Sequence, residues 1–216
     1  MPELRKPFPG IRKEKQISYG GNQMWSDNTV IRGCGCGPVA ALDLLHYLSE
    51  EGLRAPISVD YYNTELRGLC RWYLPLIPHF GINGIALAMG LNRLFRDRGL
   101  PYRAVWSCSG RRLWERVEEM LQRDLPVILS IGPSFPAIWQ KQKLPVYVRR
   151  TDGSFWPAAS IKSHYVTVTG LDEDWARISS WGRKYYLNRK EYHDFVKKHS
   201  SFLFSNIVYV KPTGHE

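Results

Sequence analysis

Helical periodicity fills the first half of this sequence and strand-like runs fill the second, an order that predicts an α+β fold. Two observations carry that expectation. Apolar residues recur at helical spacing directly behind Gly33-Cys34-Gly35-Cys36-Gly37-Pro38, and short runs rich in Val, Ile and Tyr crowd the stretch after residue 125. Of the 216 residues, 44% are hydrophobic and 23% charged, the balance of a chain that buries a sizeable core rather than of a disordered one. Aromatics reach 13%, so large flat side chains are expected to carry much of that core.

Residues 1–22 read as extended and loop-like, broken by Pro2, Pro7, Pro9 and the Gly20-Gly21 pair. The first strong helix starts just after Cys36. Pro38 suits a first helical turn, Ala41, Leu44, Leu45 and Leu48 form a buried stripe, and Gly52 is the expected stop. A second helix is expected over 60–69. Asn83 signals a third as its N-cap, with 85–98 helical and Gly99 ending it, and a fourth is expected over 111–122. Residues 126–131 form a short apolar run. Segments 146–149, 164–169, 176–180, 184–187 and 206–210 read as strands. The stretch 145–163 is expected to hold a turn at Thr151-Asp152-Gly153 and a loop leading to His164.

The net charge of +10 is compatible with nucleic acid, an anionic surface or an acidic peptide. The Lys and Arg are spread along the chain, however, and no helix-turn-helix, zinc-finger or RNA-binding signature is present, so no specific nucleic-acid partner is expected. The first residues, MPELRKPFPG, lack the apolar core of a signal peptide. No apolar run approaches the roughly 18 residues of a membrane span. The expectation is a cytoplasmic protein with free thiols and no membrane span, its oligomeric state open.

Two residues carry the candidate chemistry. A thiol at a helix N-terminus faces unpaired backbone N–H groups and the positive end of the helix dipole, which favour thiolate, and Cys36 is predicted at such a place. His164 begins a strand in which it shares a face with Val166 and Val168, while Tyr165, Thr167 and Thr169 share the other. Taken singly, Cys36 also fits an ordinary small buried residue, and His164 a structural imidazole. His46, His79, His193, His199 and His215 have no comparable context and are read as structural. Cys34-Gly35-Cys36 admits a zinc reading, but Cys70 and Cys108 are isolated rather than a second closely spaced pair, so no metal and no cofactor are expected. A disulfide between residues two apart would be badly strained.

Three segments occur in order: the Cys36-Gly37-Pro38 helix start, His164-Tyr165-Val166-Thr167-Val168-Thr169-Gly170, and Ser179-Ser180-Trp181-Gly182. Together they resemble the papain-like cysteine peptidases, nearest the bacterial branch that removes double-glycine leader peptides from bacteriocins. The resemblance spans roughly 23–181 and rests on those three short motifs. It implies a papain-like α+β fold, with a helical lobe over about 23–123 that holds the nucleophile helix. An antiparallel β-rich lobe over about 124–211 packs against it, and the active-site cleft lies between them. Residues 1–22 are then an N-terminal extension and 212–216 a C-terminal tail.

The resemblance also implies roles. Cys36 is the nucleophile and His164 its base. Gln23 is the candidate oxyanion donor, thirteen positions ahead of Cys36 where the family has about six, with Asn22 and Asn28 as alternatives. Ser179 stands where the family places Asn or Asp beside the histidine. A serine can fix the imidazole tautomer but supplies no charge. Asp172 and Asp174, in the turn beyond the His164 strand, are the other candidates. The implied function is a cysteine peptidase or related amide hydrolase, working on a peptide or protein substrate through a thiolate–imidazolium pair and an acyl-enzyme. The alternative is a catalytically weak papain-like protein that binds a peptide or protein partner in the same cleft.

Overall fold

The computed structural model describes residues 1–49, 55–108, 110–134 and 142–214. The predicted helix stop at Gly52 lies outside the described residues. The chain opens with two short strands, β1 (Ile11–Lys13) and β2 (Gln16–Ile17), and a 3-10 turn at Gln23–Trp25. A short helix α1 (Thr29–Cys34) leads directly into α2 (Cys36–Leu48). Then come β3 (Ile57–Ser58), α3 (Val59–Trp72), α4 (Gly84–Asp97), β4 (Tyr102–Ser107), α5 (Leu113–Gln122) and β5 (Val127–Ile131). The remainder is β6 (Leu144–Arg149), β7 (Phe155–Ile161), β8 (His164–Leu171), β9 (Trp175–Ser180), β10 (Arg183–Asn188), α6 (Arg189–His199) and β11 (Ile207–Pro212).

Eight strands form one sheet in the order β4-β11-β5-β8-β9-β10-β6-β7, with antiparallel neighbours throughout. The predicted α+β class is therefore what the chain adopts. Helix α2 packs on β8 and β5. Every residue from 37 to 47 is buried, so α2 is a helix enclosed on all sides rather than an amphipathic surface helix. Its fully buried side chains, such as Leu44, each contribute about 1.5–3 kcal/mol of transfer free energy. β5 is likewise buried along its whole length, and β8 from Val166 onward.

Local signals fix the helix ends. Asn83 Oδ1 accepts the Ala86 N–H at 2.9 Å, and Gly99 takes the left-handed conformation (φ +63°) just past α4. Ser58 caps α3 by accepting from the Tyr61 N–H, and α3 runs on to Trp72, three residues beyond the predicted end. A 3-10 turn at Gly110–Arg112 replaces the first predicted residues of α5.

Several elements differ from expectation for identifiable reasons. Residues 155–161, expected as a loop, form β7. It is the last strand of the sheet, where Pro157 costs no central ladder bond. α1 and α6 start on Asn28 and Asn188, whose side chains each accept two N–H groups of the first turn. The segment 1–22 is extended but tied down: Ile11 is fully buried, the Leu4 N–H donates to the Thr169 carbonyl and the Leu171 N–H to the Pro2 carbonyl.

Two helical glycines predict opposite responses to substitution. A Cβ at Gly68 in α3 meets nothing within 4 Å, whereas at Gly90 in α4 it would lie 2.3 Å from the Tyr73 carbonyl oxygen. Gly68→Ala should stabilise the protein by about 0.5–1 kcal/mol through helix propensity. Gly90→Ala should destabilise it, because the group in the way is backbone. Urea unfolding of the two variants beside the wild type measures both signs.

Candidate active site

Cys36 is the first residue of α2, capped by Gly35 without a side-chain hydrogen bond, so the helix start is left to the cysteine. The backbone N–H groups of Tyr165, Gly37 and Cys36 itself act on its thiol and pull its pKa down. Tyr165 is the second residue of β8, the strand on which α2 packs. Gly37 makes the approach possible: a Cβ there would strike Ile82 at 2.7 Å and the Tyr165 ring at 3.3 Å.

His164 is the first residue of β8, and its ring shares one cleft with Cys36, Gln23, Asp43, Ser180 and Trp181. The cleft is narrow, a cavity of about 10 Å³. The two residues thus sit on the same side of the molecule, the helix start against the strand start. Nε2 of His164 lies 2.8 Å from Ser180 Oγ, and the imidazole stacks on the Trp181 indole at 4.7 Å between centroids.

The third position differs from the sequence expectation. Ser179 does not meet His164; it is buried, and its hydroxyl donates to the Tyr19 carbonyl at 2.8 Å. Ser180 holds the ring instead. Strand register is the cause: Ser179 pairs across β8–β9 with Thr167, so it faces with Thr167 and Tyr165, while its successor falls on the His164 face. Asp172 accepts from the Asp174 and Trp175 N–H groups, so both aspartates are engaged in the turn at the opposite end of β8.

Trp181 is placed by a strained turn. Ser180 pairs with Arg183, leaving Trp181-Gly182 as a two-residue hairpin loop with φ of +50° and +72°. Such loops demand positive φ at both positions, which suits Gly182 and costs Trp181 about 1–2 kcal/mol. The strain persists because the indole is stacked on His164 on one side and meets Tyr185 edge-on at 6.0 Å.

Gln23 lines the cleft from the 3-10 turn, and its Nε2 donates to the Arg32 carbonyl at 2.8 Å. The long interval to Cys36 is taken up by α1, which is inserted between them. Asn22 and Asn28 are occupied as caps, accepting from Met24 and from Val30 and Ile31 respectively. All four cysteines are free thiols, and Cys34 donates to the Val30 carbonyl. Among the described residues no cluster of three or more His, Cys, Asp or Glu converges on a metal position.

The electrostatics oppose a resting ion pair. Burial raises the Cys36 thiol above its ordinary value, outweighing the three N–H groups that pull it down. Burial lowers the His164 imidazole from 6.5 to about 4. Both side chains are half-buried, and burial favours the neutral form of each. Burial thus acts against the thiolate–imidazolium pair expected from the helix-dipole argument.

Sequence reasoning missed Ser180 as the imidazole's partner and Asp43 altogether. Asp43 is buried in the cleft wall at the seventh position after Cys36, on the same face of α2. An aspartate among Leu42, Leu44 and Leu45 at that spacing is a signal the sequence did carry.

No family model matches the sequence, and no curated protein matches it. The fold is similar to a crystal structure from Bacillus anthracis described as a "putative C39-like peptidase", with a TM-score of 0.52 and 14% identity over 99% of this chain and 100% of that one. The likeness is one of fold: the chain has the mixed α+β architecture of a C39-like peptidase, which supports the papain-like expectation.

NMR titration of the His164 ring tests its surroundings. The midpoint should lie near pH 4 rather than 6.5, and Ser180→Ala should shift the ring resonances while Ser179→Ala leaves them nearly unchanged. Because the folded value is depressed, the unfolded chain binds more protons between about pH 6.5 and 4. This contribution to stability is full above the unfolded value and is lost as pH falls through that window. A midpoint at 6.5 with no response to Ser180→Ala would contradict the geometry.

Proposed function

We propose that this protein is a cysteine peptidase or closely related amide hydrolase, with Cys36 as nucleophile and His164 as general base and acid. The observation that carries this reading is the shared cleft, lined both by Cys36 at the start of α2 and by His164, itself held at Nε2 by Ser180. The C39-like fold adds support, since the name of the similar protein is that of a peptidase.

In this reading the Ser180 contact fixes the ring so that Nδ1 serves the cleft. The Cys36 sulfur attacks a peptide carbonyl as its proton passes to His164. The tetrahedral oxyanion is met by the Cys36 N–H and by Gln23 Nε2. That amide nitrogen carries two N–H groups, and the Arg32 bond uses one of them while fixing its orientation. His164 then protonates the leaving amine, and water releases the thioester. Proton transfer accompanies attack, since burial favours the neutral pair at rest. Peptides are the substrate class, and kinship with the double-glycine leader peptidases of bacteria rests on the three motifs around Cys36, His164 and Trp181.

A second reading is a weak or inactive member that binds peptides in the cleft. Ser180 in the place of a carboxylate or amide favours it, because a hydroxyl stabilises an imidazolium less than a charged partner does.

Turnover of a quenched fluorogenic peptide library separates the two. The first reading predicts hydrolysis that Cys36→Ala and His164→Ala each reduce by at least about a thousandfold. It also predicts a rate that rises as pH increases through about 4, the value at which His164 loses its proton. Peptide retention without cleavage, unchanged by Cys36→Ala, supports binding alone.

A further inference from the structure

Asp43 stands outside the reaction just described, yet it is one of the most constrained groups in the molecule. It is 2% exposed. Its two carboxylate oxygens accept the Gly21 N–H at 2.9 and 3.0 Å, and Oδ1 also accepts the Tyr62 hydroxyl at 2.8 Å. Burial pushes this carboxyl up to about 7 against the pull of those donors. A carboxylate kept in such a place is costly unless its contacts do something an apolar side chain cannot.

The contact with Gly21 joins the nucleophile's own helix to the segment that carries Gln23. The backbone there approaches too closely for any side chain: a Cβ on Gly21 would lie 2.0 Å from the Tyr62 hydroxyl, and one on Gly20 would lie 2.5 Å from Asp43 Oδ2. The same segment is held from its other side. The Gly182 N–H donates to the Gly21 carbonyl at 2.8 Å, and Asn22 Nδ2 donates to the Trp181 carbonyl at 3.1 Å. Gly21 is therefore clasped between Asp43 on α2 and the turn that stacks on His164, two residues ahead of Gln23.

We propose that Asp43 is a positioning residue for acyl transfer: it fixes the Gly21–Gln23 arm to the nucleophile helix and so sets the distance between the Gln23 amide and the carbonyl attacked by Cys36. This rests on the peptidase reading above. It assigns the charge on α2 to the oxyanion side of the site rather than to the thiol. A misplacement of about 1 Å in such a group is enough to cost about a hundredfold in rate.

The distinction between oxyanion and thiol supplies the test. Acylation of Cys36 by p-nitrophenyl acetate passes through an oxyanion, whereas alkylation by iodoacetamide does not. Both are measured on the full chain, with Cys36→Ser as background. Asp43→Ala should lower kcat for the ester by about 10- to 100-fold, with KM within about threefold and Cys36 alkylation within about threefold. Asp43→Asn, which keeps one acceptor for the Gly21 N–H, should recover part of the loss and carries the comparison if the alanine variant does not fold. In a Gln23→Ala background, Asp43→Asn should add little, because both act on one interaction.

The proposal is overturned if kcat falls only in proportion to the folded fraction seen by circular dichroism. It is equally overturned if alkylation falls as far as acylation, or if the Gln23 and Asp43 effects multiply independently. A wild type whose ester turnover equals the Cys36→Ser background overturns the peptidase reading, and this inference with it. A wild type that turns over while Asp43→Ala and Asp43→Asn match it overturns this inference alone.

Discussion

The packing of α2 against β8 brings the halves of the site together, and the remaining features follow from it. Because α2 is enclosed from Gly37 to Tyr47, its first residue cannot drift: the helix start is pressed onto the strand start, with Gly37 close against the Tyr165 ring. His164 is the residue before Tyr165. Any register change in β8 would move the imidazole away from the helix start, and the sheet forbids one because β8 is paired on both sides, with β5 and with β9. The site is thus built where regular structure begins, but on elements whose interiors are fixed by the core.

The same burial sets the chemistry. Desolvation works against charge on both partners, raising the thiol and lowering the imidazole. In the proposed reaction this favours proton exchange during attack over a stored charge-separated pair. Neutral partners also fit the third position. Ser180 offers a dipole where a carboxylate would offer charge, and a ring whose neutral form burial favours needs orientation more than counter-charge. Orientation is reinforced by the Trp181 stack, held through a hairpin turn that only Gly182 accepts without strain.

Much of this was legible in the sequence because it depends on local rules. Pro38 behind Cys36, Asn83 ahead of α4 and the alternation after His164 each express backbone chemistry that acts within a few residues. Ser180 was not legible, because its face depends on which β8 residue it pairs with across the sheet. The thirteen-residue interval from Gln23 became interpretable only once α1 was seen to occupy it, a six-residue helix with a single buried side chain and hence almost no periodic signal. β7 was hidden by Pro157, which argues against a central strand and is harmless in an edge strand. The effect of burial on Cys36 and His164 was beyond sequence reasoning, since helix-end stabilisation can be read from position but desolvation requires knowing what surrounds the group.

The central claim is that His164 activates the Cys36 thiol, and covalent capture by a peptidyl vinyl sulfone tests it most directly. Addition of the thiol to this probe needs a base and then a proton donor beside the sulfur, so it reports the pair rather than a bare thiol. Intact mass followed by peptide mapping should find one adduct, on Cys36, with Cys34, Cys70 and Cys108 unmodified and the reaction lost in His164→Ala. Equal modification of several cysteines, or Cys36 labelling that is indifferent to His164→Ala, would contradict the account.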